Sequence, residues 1–143
     1  YILEDLKDID IFGRREAGKF RGTHYQGELP RDLLNKTITN YSNFILLSEI
    51  ENTTPLVVKE ALICGLGVVV SEEVSVELDL NRTFIDVIPE NKINDLEYIQ
   101  EVVDVNKRMS RQIRKEIRRY GIDTFGLENI LAYEYVPKLQ SLL

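Results

Sequence analysis

Short apolar runs rich in β-branched residues alternate along this chain with segments whose apolar positions recur every three or four residues. The first pattern suits buried strands and the second suits helices laid against them. Their alternation predicts an α/β fold, with a Rossmann-like parallel sheet of about five strands and helices on both faces. Ile9–Phe12 reads as a strand closed by Gly13, and Thr23–Gln26 as a shorter one closed by Gly27. Pro30 suits a first helical turn, where its missing N–H costs nothing. Leu33, Leu34, Ile38 and Tyr41 then mark one face of a helix reaching about Tyr41. Asn43–Ser48 is apolar almost throughout, as a strand near the middle of a sheet must be. Pro55 opens a second helix, Leu56–Cys64, which stops at Gly65; Gly67–Ser71 and Phe84–Ile88 are two further strands. Asp95 to about Tyr120 predicts one long helix stopped by Gly121, and Thr124–Leu142 a last one. Tyr1 to about Lys7 reads as the tail of a helix. No repeat or linker divides the chain, so residues 1–143 form a single domain in this reading.

Composition narrows the function classes. At 143 residues, 43% hydrophobic and 29% charged, the chain can bury a core and does not resemble a disordered segment. A formal net charge of -6 disfavours nucleic acid as a partner. No run approaches the roughly 18 apolar residues of a membrane span, and the first residues lack the pattern of a signal peptide. The single cysteine, Cys64, excludes an internal disulfide and a cysteine-cluster zinc site. Together these predict a cytoplasmic protein, in which the sequons at Asn35, Asn40, Asn52 and Asn81 are chance matches. The basic stretch Lys107–Arg119 offers a peripheral membrane contact that nothing else supports, and a solvated helix face is the ordinary reading. His24, the one histidine, has no carboxylate partner in view.

The chemically informative stretch runs from Ser48 to Ser71: buried strand, polar loop, helix, buried strand. In open α/β sheets ligands gather beyond the carboxyl ends of strands. The first-turn N–H groups near Pro55 are unpaired and partly positive, which suits a phosphate. Thr53 and Thr54 add hydroxyl donors there, with turn and cap roles as the plain alternative. Arg14, Arg15, Lys19 and Arg21 around the loop after Gly13 carry charge that could neutralise a diphosphate. A carboxylate in the same neighbourhood suits the hydroxyls of a sugar.

Pro55, Leu56, Glu60, Ala61, Gly65 and Ser71, in this order and spacing, resemble the donor-site signature of GT-B glycosyltransferases. Tyr25–Leu29 resembles the glycine turn after that family's third strand, with Gly27 and Glu28 at its centre, and Ile11-Phe12-Gly13 the turn after its second. The resemblance covers roughly residues 9–135. It implies the C-terminal, nucleotide-sugar-binding domain of such an enzyme, with Glu60 accepting hydrogen bonds from the ribose hydroxyls. The loop before Pro55 and the turns at Gly13–Arg14 and Gly27–Glu28 would then hold the sugar and diphosphate. Two departures stand out. The family's other glutamate falls at Asn52, with Glu51 one residue earlier, and Gly67 stands where the family usually has proline.

The resemblance also implies a nucleoside-diphosphate sugar as substrate, no metal and no other cofactor. Catalytic residues would come from an acceptor-binding half that these residues do not hold, so the chain alone would be inactive. The family's first strand, central in the strand order 3-2-1-4-5-6, has no counterpart here. Ile9–Phe12 must therefore pair with Phe44–Ser48, or another chain must fill the gap. Two other readings compete: a nucleotide-sugar epimerase fragment, and a non-catalytic binding or assembly module that keeps the fold with a degraded site. A fold-level likeness does not choose among them.

Overall fold

Gly67–Ser71 is buried along its whole length, and the core is built on its two faces. The computed structural model describes residues 5–12, 25–48 and 53–130. In chain order the elements are β1 (Ile11–Phe12), β2 (Tyr25–Gly27), α1 (Arg31–Ile38), β3 (Asn43–Leu46), α2 (Leu56–Ile63), β4 (Gly67–Ser71), β5 (Ile85–Ile88), α3 (Leu96–Gln112) and α4 (Arg114–Ile130). Every strand pairing is parallel, and the chain is an α/β protein of Rossmann-like kind.

The strands do not form the single five-stranded sheet that the alternation predicts. They divide into β1-β2 and β3-β4-β5. Ile9–Phe12 does not pair with β3; of the two outcomes expected, the gap is the one found. Consequently β3, whose apolar run suits a central strand, lies at an edge of its sheet and is only half-buried.

Alternation along β4 separates two cores, because successive side chains leave a strand on opposite faces. Val68 and Val70 pack with Val58, Ala61 and Leu62 of α2 and with Ile117, Tyr120 and Phe125 of α4. Val69 packs with Ile99 of α3, Ile88 of β5 and Leu6. Each fully buried valine, leucine, isoleucine or phenylalanine among them contributes about 1.5–3 kcal/mol.

This two-sided core explains why the predicted long helix is broken. A straight helix covers one face of a sheet, whereas Asp95–Phe125 must serve both. The chain turns at Ile113 (φ -124°, ψ 30°), beneath the start of β4, where Ser110 abuts Gly67 and Arg114 abuts Gly65. Gly121 is not a helix stop. It lies inside α4, where a Cβ would fall 2.5 Å from the α2 backbone at Leu62 and Ile63, and so lets the two helices touch. α2 itself ends as the glycine predicts. Gly65 has φ +86°, its N–H bonds to the Leu62 carbonyl, and the Leu66 N–H bonds to the Ala61 carbonyl.

Smaller corrections concern the N-terminal third. α1 ends at Ile38 rather than near Tyr41, and Leu33 turns outward, 44% exposed. Of the expected helix tail, Tyr1–Glu4 lie outside the described residues; Asp5 is in a 3-10 turn and Leu6–Asp8 bends, with Leu6 buried. Thr23, His24 and residues 131–143 of the expected last helix lie outside the described residues. Among the described residues, no helix is long and apolar enough to cross a membrane.

Candidate functional site at the start of the second helix

Pro55 precedes α2 and lends no side-chain cap to its first-turn amides. The neighbouring Thr54 is buried and tied to the loop after β4. Its hydroxyl donates to the Val74 carbonyl at 2.7 Å and accepts from the Glu77 N–H at 3.1 Å. The Thr54 N–H in turn donates to Glu77 Oε2 at 3.1 Å, and Lys59 Nζ lies 3.1 Å from the same oxygen. Lys59 is itself buried, with its ammonium 5.3 Å from the centre of the Phe125 ring. A backbone donor and a cation thus converge on one carboxylate oxygen beside a helix N-terminus. These are the elements of an anion seat, and here the protein's own Glu77 is the anion.

Glu60 lies one turn beyond Thr54–Leu56 and is 2% exposed. Its charge bears on Cys64, one further turn along. Burial first, and the Glu60 carboxylate second, push the Cys64 thiol up, against the opposing effects of Arg118 and Arg114. A thiol held protonated is a poor nucleophile, consistent with Cys64 as a packing residue. Ser71, the last residue of the matched pattern, ties two strand ends together by donating to the Ser48 carbonyl at 2.6 Å.

A cavity of about 720 Å³ lies on the other side of β3. Glu28 and Leu29 from the turn after β2, Leu46 at the end of β3 and Val57 in the first turn of α2 all line it. At its wall the Tyr41 hydroxyl donates to Asp10 Oδ2 at 2.6 Å, and Phe12 meets the Tyr41 ring edge-on. Burial, then the Asp10 carboxylate, push the Tyr41 hydroxyl up to about 12.

The residues singled out by sequence therefore divide into three groups. Thr53, Thr54, Pro55 and Leu56 gather at the α2 start, with Glu60 buried just beyond. Gly27, at φ +102°, makes the sharp turn that brings Glu28 to the cavity. Gly13, Arg14, Glu51 and Asn52 lie outside the described residues. Sequence reasoning missed Glu77 and Lys59. Glu77 comes 23 residues after Thr54, and no local motif links a loop carboxylate to a helix start at that distance. The one available signal was Lys59 itself, a cation in a helix that is otherwise apolar around most of its circumference. Among the described residues, no group of three or more histidine, cysteine, aspartate or glutamate side chains is placed to hold a metal.

No protein-family model, curated protein or solved structure matches this chain.

Proposed function

We propose that the chain is the nucleotide-sugar donor-binding domain of a GT-B-type glycosyltransferase, and that the donor's diphosphate takes the place of the Glu77 carboxylate at the start of α2. The supporting observation is the seat itself: the Thr54 N–H and the Lys59 ammonium converge on one oxyanion where a helix begins. When the bond from the sugar's anomeric carbon to the phosphate oxygen breaks, the electron pair stays on that oxygen. Fixed donors at that point stabilise the departing nucleoside diphosphate without reorganisation. The acceptor hydroxyl forms the new bond and releases its proton to a base from an acceptor-binding domain, which is the partner this reading requires. The reading includes a cytoplasmic location and needs no metal.

A second reading has its own support. Thr54, Glu77 and Lys59 already satisfy one another, and Glu60 is withdrawn from solvent. An assembly module that keeps the fold for packing alone would look like this.

Calorimetric titration with UDP, GDP, ADP and TDP separates the two. The donor reading expects saturable binding of at least one diphosphate, weakened about tenfold or more by Glu60→Gln, since a hydrogen bond to a charged group contributes about 1.5–3 kcal/mol. Binding that is indifferent to Glu60→Gln removes that residue from the site. A folded chain that binds none of the four leaves the assembly reading.

A further inference from the structure

Every residue of Asn40–Leu46 and every residue of Lys7–Phe12 lines the 720 Å³ cavity. Alternate side chains of a strand point to opposite faces, so a cavity that touches all of them in succession lies against the strand's edge. β3 is paired with β4 along one edge only, and β1 with β2 along one edge only. No backbone hydrogen bond joins the two sheets among the described residues. The cleft is therefore flanked on two sides by backbone with unused N–H and C=O groups.

Apart from Glu28, Asp104, Lys107 and Arg111, its remaining walls are apolar and continue the two cores. Leu34, Ile38, Val57 and Leu66 belong to the cluster that contains Phe44 and Leu46. Ile9, Ile45 and Val103 belong to the other cluster. An occupant must therefore satisfy main-chain donors and acceptors at its edges and present apolar groups to both faces. A β-strand does both, and a small polar ligand does neither. β3 also carries the apolar sequence of a central strand while occupying an edge. Such an edge templates strand addition unless it is covered. Charge refines the choice: the lining carboxylates are Asp8, Asp10, Glu28 and Asp104, whereas two cations one turn apart, Lys107 and Arg111, outnumber Asp104 on α3, where Arg111 bonds the Ser42 hydroxyl.

We propose that this cleft is a strand-acceptor site, which takes one extended apolar segment of a partner protein between β1 and β3, with an acidic residue where the segment passes Lys107 and Arg111. The site is separate from the anion seat at α2 and does not depend on the donor reading.

The test uses a synthetic peptide, acetyl-Asp-Glu-Val-Val-Ile-Val-Phe-Gly-amide, fluorescently labelled and titrated into the chain by anisotropy. Backbone hydrogen exchange is read residue by residue in parallel. Saturable binding is expected, with at least tenfold slower exchange at amides within Ile11–Phe12 and Asn43–Leu46. The same peptide N-methylated at alternate residues is expected to bind at least tenfold more weakly, because it keeps the side chains and loses the edge bonds. Lys107→Glu should weaken the acidic peptide and favour a version that begins Lys-Lys. Binding unaffected by N-methylation would overturn the proposal, as would no binding at all. Slow exchange without peptide of those Asn43–Leu46 amides that point away from β4 would also overturn it. If that slowing is independent of protein concentration, the chain fills its own cleft. If it follows dimer formation in sedimentation, the occupant is a second copy.

Discussion

A methyl group at Gly67 would stand 1.8 Å from Ser110 Oγ and 2.8 Å from Asn106 Oδ1, distances that no Cβ can hold. The glycine at this position is thus explained by α3, which passes so close to the start of β4 that only a hydrogen fits. A proline here would be worse still, since the Gly67 N–H also bonds to the Ser42 carbonyl at 3.3 Å. Gly67→Ala is expected to destabilise the fold by about 1–3 kcal/mol, the usual cost of overpacking a tight core, read as a lower midpoint in urea unfolding. Gly67→Pro should cost more than Gly67→Ala. Tyr41 gives a residue-scale prediction about pH. Its hydroxyl titrates near 12 in the folded chain, against about 10 unfolded. The folded state therefore holds the proton more tightly, and the resulting stability is complete below about pH 10 and lost as pH rises through 12. Ultraviolet absorbance titration should show this late tyrosinate. In Asp10→Asn the transition should come earlier yet stay above 10, because burial, the larger cause, remains.

Asn106 acts at the scale of elements. It sits in the apolar-spaced stripe of the predicted long helix, where periodicity marks it as one more packing position. In the fold it is fully buried. Its amide nitrogen lies 3.2 Å from the Val68 carbonyl, 3.1 Å from the Phe84 carbonyl and 3.0 Å from Asp86 Oδ2, while its oxygen accepts from Asn43 at 3.2 Å. One side chain thus fastens α3 to the beginnings of β3, β4 and β5. Asn106→Leu keeps the size and removes every bond; the Phe84 carbonyl still accepts from the Val68 N–H at 2.9 Å, so the cost is that of the hydrogen bonds lost, about 0.5–1.5 kcal/mol each. Thermal unfolding of this variant should fall well below that of Lys107→Ala, its half-buried neighbour. The same element shows what the apolar pattern could reveal. Helix positions and the buried strand Gly67–Ser71 were legible because a 3.6-residue period and an unbroken β-branched apolar run report which segments face a core. The break at Ile113 was not, because it arises from the need to cross from one face of β4 to the other. No glycine or proline marks it.

For the whole molecule, periodicity reveals which segments are strands, but pairing depends on backbone edges that side chains do not encode. Phe44–Leu47 reads as central whether or not a neighbour is present, so the division into two sheets could not be read from Asn43–Ser48 alone. The α2 site has the same origin. Thr54 and Pro55 were visible as a helix start, whereas the carboxylate that meets them arrives from a loop on the far side of β4. That carboxylate ties stability to function in opposite directions. Glu77→Gln removes a negative charge from the place where a diphosphate would sit and leaves buried Lys59 without its 3.1 Å carboxylate contact. If the seat binds phosphate, the variant should gain affinity for its best nucleoside diphosphate by about threefold to tenfold while unfolding at lower denaturant, since taking a carboxylate contact from a buried cation is destabilising. Added diphosphate should then restore part of the lost stability, in proportion to the logarithm of its concentration. If α2 is only a packing element, the same variant should unfold early, and neither affinity nor ligand rescue should appear. Unfolding curves with and without the diphosphate therefore separate the roles of one residue that a loss of stability alone would leave joined.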